Sequence, residues 1–84
     1  MSMGKAQSFS KPNHHLLGKI GKEVRKLRIG KKLTMEELAD MCDLHYKYIQ
    51  TIEAGKRNVS ISVFVAVARA LEVEPAALLR YVQR

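Results

Sequence analysis

The chain has few of the residues that stabilise secreted or membrane proteins. Its 84 residues include one cysteine and no tryptophan, and aromatic residues make up only 6%. A single cysteine forms no internal disulfide and suits a reducing compartment. No apolar run approaches the ~18 residues of a membrane-spanning helix, and the N-terminus has no apolar stretch typical of a secretory signal. We therefore expect a cytoplasmic protein with no membrane partner.

The motifs of enzymes and metalloproteins are also missing. The sequence has no glycine-rich phosphate loop, no metal-ligand spacing and no convincing Ser/His/Asp set. Cys42 falls on a predicted apolar stripe, where a cysteine behaves as a small core hydrophobe. We therefore expect no enzymatic activity, no cofactor, no metal and no small-molecule ligand.

Basic residues, by contrast, are abundant. The chain has 15 basic and 8 acidic residues, a net charge of +7, and its pI is near 9.9. Most of the acids lie in residues 35–55, and nearly all of the bases lie before or after that segment. This balance suits a nucleic acid or an anionic membrane as partner. The alternative is a solvated basic face without a partner.

The length and the hydrophobic pattern predict one small all-α domain of five helices. Residues 1–13 show no periodicity and include Pro12. We interpret them as a disordered basic arm that either reaches DNA or is only a loose end. Residues 14–84 form the folded domain. Its expected helices cover residues 14–28, 34–43, 45–54 and 60–71, and a fifth begins near Pro75.

Local signals mark the ends of these helices. Thr34 and Glu37 have the spacing of a capping box, and Ser60 is a good N-cap. Asp43 ends the second helix because Asp tolerates the left-handed backbone of a sharp turn. Gly55 suits the position after the third helix. The apolar residues at helical spacing, which we expect to face the core, are Leu16, Leu17, Ile20, Val24, Leu27, Leu38, Met41, Cys42, Ile49, Ile52, Ile61, Phe64, Val65, Ala68 and Leu71.

The third helix has a polar side that a core does not need. At about 100° per residue, Tyr46, Lys47, Gln50 and Thr51 lie opposite the two isoleucines, and Tyr48 lies on the border. Every one of these side chains can donate a hydrogen bond, and none is acidic. A solvated face in a chain with 8 acids would more often mix charges. The composition indicates a surface for base edges and phosphates.

Residues 27–61 resemble the helix-turn-helix of the Cro/phage-repressor (XRE-like) family, and the likeness extends over residues 16–79. Three positions depart from the family pattern, namely Met35 for Gln, Asp43 for the turn Gly and Val59 for Pro. The first weakens one expected phosphate contact. The residues that match the pattern are Arg28, Thr34, Leu38, Ala39, Leu44, Ile49, Ile52, Glu53, Gly55 and Ser60.

The resemblance implies a lambda-repressor-like DNA-binding domain with its helix-turn-helix at helices 2–3 and double-stranded DNA as partner. The base-reading residues would be Tyr46, Lys47, Gln50, Thr51 and Arg57. The phosphate-binding residues would be Lys31, Lys32, Thr34, Met35, Tyr48, Lys56 and Asn58. In the resembled family, the residues equivalent to Arg28 and Glu53 form a structural ion pair. The alternative is that they are two unrelated surface charges.

The fifth helix is apolar on more than one side, which on a monomer would leave an exposed patch. The resembled family commonly dimerises through this region. We therefore predict a symmetric homodimer that uses Leu78, Tyr81 and Val82. The alternative is that these residues complete the core of a single chain.

The function implied is that of a sequence-specific transcriptional regulator acting as a homodimer on a palindromic operator. Tyr48-Ile49 together with GKRNVSI resembles the controller proteins of restriction–modification systems, which bind their own promoters. Phage-type repressors and antitoxin regulators are close competitors. Two further hypotheses remain open: a module that binds an acidic protein, and non-specific binding of nucleic acid or anionic membrane through the basic arm.

Overall fold

Five α-helices follow one another in a computed structural model of the chain, which describes residues 14–80. The predicted all-α fold is confirmed, whereas the predicted arm 1–13 lies outside the described residues. No helix in the described part is both long and apolar enough to cross a membrane. The helices are α1 (His14–Gly30), α2 (Met35–Met41), α3 (Tyr46–Glu53), α4 (Ile61–Ala70) and α5 (Pro75–Leu79).

The core forms around α3, which packs against both α1 and α2. Helix α4 contacts α2 and α5, and α5 returns to α1, so the chain closes on itself. A fully buried Leu or Ile side chain contributes roughly 1.5–3 kcal/mol, and this apolar cluster holds α3 in place. Its buried members are Ile20, Val24, Leu38, Ala39, Ile49, Ile52, Val67, Ala68, Leu71 and Leu78.

Four of the helices end in the same way, with a residue in the left-handed backbone region. The φ angles are 60° at Lys32, 58° at Asp43, 72° at Gly55 and 61° at Glu72. Around Asp43, the Leu44 amide donates to the Ala39 carbonyl at 2.9 Å and the Asp43 amide to the Asp40 carbonyl at 3.2 Å. These two bonds define a Schellman motif, and the other three ends repeat its pairing.

The N-terminal caps follow the sequence signals. Thr34 and Glu37 form the predicted capping box: the Glu37 amide donates to Thr34 Oγ1 at 3.0 Å, and the Thr34 amide donates to Glu37 Oε1 at 2.8 Å. Ser60 Oγ accepts from the Val63 amide at 3.3 Å, and Pro75 opens α5. Thr34 and Ser60 each supply an acceptor for a helix amide that has no partner within its own helix.

A close crossing of α1 and α3 depends on one glycine. A Cβ atom placed on Gly21 would lie 2.3 Å from the Ile52 carbonyl oxygen and 2.8 Å from that of Glu53. No side chain fits at these distances, so the backbones could approach this closely only at a glycine. A Cβ on Gly18, one turn earlier, would meet nothing within 4 Å.

The structure corrects several boundaries and core assignments. Helix α1 continues two residues past the expected end at Arg28, and α2 stops at Met41 because Asp43 already belongs to the turn. Met41 is 56% exposed and borders a shallow cleft with Leu33. Ile61, the first residue of α4, is 83% exposed and does not belong to the core.

The predicted dimer residue Leu78 is also corrected. Its side chain is 1% exposed within the core, so it has no surface to offer a partner. Tyr81 and Val82 lie outside the described residues. Next to Leu78 in sequence, Leu79 is exposed and lies on an apolar groove of about 190 Å³. The groove is lined by Leu16, Leu17, Ile20, Asn58, Val59, Ile61, Phe64 and Leu79.

Candidate nucleic-acid interface

The two sides of α3 differ in burial as the sequence predicts. Ile49 and Ile52 are buried in the core, whereas Lys47 and Gln50 are exposed on the opposite side. Tyr46, at one edge of the outer side, is also exposed. The outer side therefore presents an ammonium group, a carboxamide and a phenol to the surroundings. A carboxamide and a cation are the groups that pair with adenine and guanine edges.

His45 orients the start of α3, a role that sequence reasoning missed. Its Nδ1 accepts a hydrogen bond from the Lys47 amide at 3.2 Å, which caps the helix. Its ring lies against Tyr46, with centroids 4.9 Å apart at 31°. The signal was present, since a side-chain acceptor directly before a helix is a capping residue, although His is not among the usual caps.

Arg57, from the loop after α3, lies back against the helix. Its Nε donates to Thr51 Oγ1 at 2.8 Å, and its Cζ is 4.0 Å from the centroid of the Tyr48 ring. Thr51 in turn donates its hydroxyl proton to the Tyr48 carbonyl at 2.9 Å. All three side chains are half-buried. Three residues predicted to contact DNA independently thus form one cluster beside Gln50.

The remaining predicted contacts divide into two groups. Lys32, Lys56 and Asn58 are exposed. Lys31 is exposed as well, but its ammonium forms an ion pair with Glu72, which ties the α1–α2 loop to the turn after α4. The hydrogen bond from Lys31 lowers the pKa of the Glu72 carboxyl. A phosphate would therefore compete with a carboxylate for Lys31, which the sequence did not show.

The start of α2 is also more occupied than predicted. The Thr34 amide is bonded to Glu37 at 2.8 Å, so only the hydroxyl of Thr34 has a proton for a phosphate. Met35 is half-buried and packs against the core. The capping carboxylate of Glu37 also places negative charge where a phosphate would approach. Of the phosphate contacts predicted at Thr34 and Met35, the Thr34 hydroxyl and the Met35 backbone amide remain as candidate donors.

The structure contains the ion pair that the resemblance implied. Arg28 Nε and Nη2 lie 2.6 Å and 3.0 Å from the two carboxylate oxygens of Glu53, and Nη1 donates to the Leu33 carbonyl at 2.8 Å. The side chains are only 10% and 3% exposed. The hydrogen bond to Glu53 raises the pKa of Arg28 further. The pair fastens the end of α3 to α1.

On the outer face of α3 and the loop that follows it, the exposed or half-exposed charges of the described residues are all positive. The outer face of α3 and the following loop present Lys47, Lys56 and Arg57, and Glu53, the acid of α3, points inward to Arg28. Cys42 is partly buried and packs against the core, as the sequence predicts, and this burial raises the pKa of its thiol. The surface favours an anionic partner.

Two short helices joined by a sharp turn, with the second helix polar outside and apolar inside, define a helix-turn-helix domain. Domains of this class place the second helix in the major groove of DNA. The chain belongs to the helix-turn-helix family HTH_3, which matches residues 24–78.

Similar proteins include several controllers of restriction–modification systems. Control protein C.BamHI from Bacillus amyloliquefaciens is 44% identical over 63 residues, or 74% of this chain and 78% of that protein. The controller C.AhdI from Aeromonas hydrophila superposes with a TM-score of 0.72 at 40% identity, over 74% of this chain and 94% of that one. A third is the C.Esp1396I tetramer, solved with its natural 35-base-pair operator. It superposes with a TM-score of 0.71 at 30% identity, over 92% of this chain and 93% of that one.

Proposed function

We propose that this protein is a dimeric, sequence-specific DNA-binding transcriptional regulator, and specifically a restriction–modification controller. The observation that carries the proposal is the outer side of α3, where Lys47 and Gln50 stand exposed on a helix whose other side is locked into the core. A rigid helix with a cation and a carboxamide on its outer side matches the donor and acceptor pattern of the major groove.

The exposed basic loop residues extend this contact to the DNA backbone. Lys56 and Asn58 follow α3, and Lys32 precedes α2, so they lie at both ends of the helix-turn-helix. Contacts to phosphates orient a protein on the duplex without carrying sequence information. Lys32, Lys56 and Asn58 therefore set the register, and α3 reads the bases.

The partner in the dimer is a second copy of this chain, seated on the apolar groove. Ile61, which lines the groove, is 83% exposed, and Leu79 is followed in sequence, after Arg80, by the apolar residues Tyr81 and Val82. The related C.Esp1396I assembles as a tetramer on its operator. Two copies joined in this way would present their α3 helices to half-sites about 10 bp apart.

The groove is tested by sedimentation of Ile61→Lys beside Met41→Lys. Met41 is also exposed but borders a different cleft. We expect Ile61→Lys to sediment as a monomer and Met41→Lys to remain dimeric. Dimers in both variants would place the interface elsewhere.

The regulatory function is tested by selecting bound sequences from a random DNA pool and comparing them with the DNA upstream of the protein's own gene. Gel shifts with the selected and a scrambled sequence follow at about 50 mM and about 200 mM salt. A regulator keeps a large affinity ratio between the two sequences at the higher salt. Equal affinities would indicate binding by bulk charge, and absence of the selected sequence upstream of the gene would contradict the controller assignment.

A further inference from the structure

Arg57 differs from the other cations near α3 because its head group has two fixed contacts with that helix. The Nε–H group donates to Thr51 Oγ1 at 2.8 Å, and the guanidinium carbon lies 4.0 Å from the Tyr48 ring centroid, within the range of a cation–π interaction. A long arginine side chain normally samples many rotamers in solution. Here two contacts hold the guanidinium in position before any ligand arrives.

The hydrogen bonds of the cluster show which groups remain for DNA. Thr51 has one hydroxyl proton, and it goes to the Tyr48 carbonyl. Thr51 therefore accepts from Arg57 and has no proton left for an acceptor on a base. Arg57 uses only Nε within residues 14–80, so Nη1 and Nη2 keep their four N–H donors.

We propose that Tyr48 and Thr51 are positioning residues that hold Arg57 so that its two Nη groups bind the paired acceptors of one guanine. This inference rests on the function proposed above and replaces direct base or phosphate contact by Tyr48 and Thr51. Guanine offers O6 and N7 side by side in the major groove, and arginine matches them with a bidentate contact. Arg57 lies on the Thr51 side of α3, where it widens the base-reading face.

The first test needs no DNA. In a nitrogen-15 NMR spectrum of the free protein, the Arg57 Nε–H should give a resolved signal that exchanges slowly with water. Thr51→Val, which removes the acceptor at similar volume, and Tyr48→Leu, which removes the ring, should abolish it. Thr51→Ser and Tyr48→Phe keep the acceptor and the ring, so they should retain it. A fast-exchanging Nε–H in the wild-type protein would overturn the positioning role.

The second test is a double-mutant cycle on the selected operator. Arg57→Ala should weaken operator binding by about 10- to 100-fold, the range of one good bidentate contact, and change binding to scrambled DNA far less. Thr51→Val and Tyr48→Leu should each reduce operator affinity several-fold, and this reduction should vanish in the Arg57→Ala background. Persistence of the full cost there would mean that Thr51 or Tyr48 acts on DNA without Arg57 and would overturn the proposal.

Replacement of single operator guanines by 7-deazaguanine, which lacks the N7 acceptor, separates a base from a phosphate. Replacement at one guanine should weaken operator binding by the wild-type protein but not by the Arg57→Ala variant. If no replacement does so, Arg57 binds a phosphate and the guanine assignment is overturned. Failure of the regulator itself would look different: wild-type protein would bind selected and scrambled DNA equally, while the Arg57 Nε–H signal remained protected.

Discussion

The inner and outer sides of α3 carry opposite kinds of interaction within eight residues. On the inner side, Ile49 and Ile52 are buried and Glu53 makes a bidentate ion pair with Arg28. On the outer side, Lys47 and Gln50 are exposed, and Thr51 Oγ1 accepts a hydrogen bond that holds Arg57 against the helix. The inner side fixes the position of the helix, and the outer side keeps donors available for a partner.

This division implies that stability and DNA recognition should respond to different substitutions. Burial makes inner contacts energetically large, because a lost partner leaves a desolvated group without compensation. Exposed contacts contribute little to folding, because water replaces them. Paired substitutions on the two sides therefore test the division directly.

The largest effect is expected for Glu53→Gln. Removing one charge of a buried pair leaves Arg28 uncompensated, so we expect a loss of roughly 3–5 kcal/mol in the free energy of unfolding. Urea unfolding followed by circular dichroism measures it. Glu72→Gln, at the exposed Lys31 pair, is the control and should not change the melting temperature. Equal effects in the two variants would refute the contrast between buried and exposed pairs.

Gly21→Ala should destabilise the α1–α3 crossing by about 1–3 kcal/mol, as expected for overpacking. The added Cβ would overlap the Ile52 carbonyl, and one backbone must move. Gly18→Ala in the same helix meets no atom within 4 Å and should gain about 0.5–1 kcal/mol from helix propensity. Thermal unfolding of both variants checks this, and a stable Gly21→Ala would show that the helices can separate without loss.

On the outer side, Lys47→Ala should weaken operator binding by about 1–3 kcal/mol and relax specificity at one base pair. The melting temperature should stay the same, because the side chain is exposed. Lys56→Ala is the matched control for a phosphate contact. It should weaken binding to selected and scrambled DNA alike, and it should reduce the slope of log affinity against log salt concentration by about 1. Unchanged binding of Lys47→Ala to both DNAs would remove Lys47 from the reading face.

The smallest effect is expected at Thr34, which is a helix cap and also the candidate for a phosphate contact. Thr34→Ala should cost about 1 kcal/mol of stability through loss of the cap, whereas Thr34→Ser keeps the hydroxyl and should change little. Urea unfolding and operator titration on the same samples separate the two roles. A loss of affinity without a loss of stability would assign the hydroxyl to DNA alone.

Much of the site could be predicted because its signals are local. The side of α3 that faces outward follows from the spacing of Ile49 and Ile52, and the Thr34 cap follows from the position of Glu37. The pairing of Lys31 with Glu72 could not be predicted, since they are 41 positions apart and no local pattern links them. The capping role of His45 was missed because His is an unusual cap.

The sequence by itself determined the five helices, the caps at Thr34 and Ser60, the turns at Asp43 and Gly55, and which side of α3 is polar, because these depend on residues within a turn or two of one another. Only the tertiary structure decided which apolar residues are covered. It buries Leu78 and exposes Ile61, although both fit a helical stripe. It also joins Arg57 to Tyr48 and Thr51. Periodicity marks an apolar side of a helix, but the packing of the other helices determines what, if anything, lies against it.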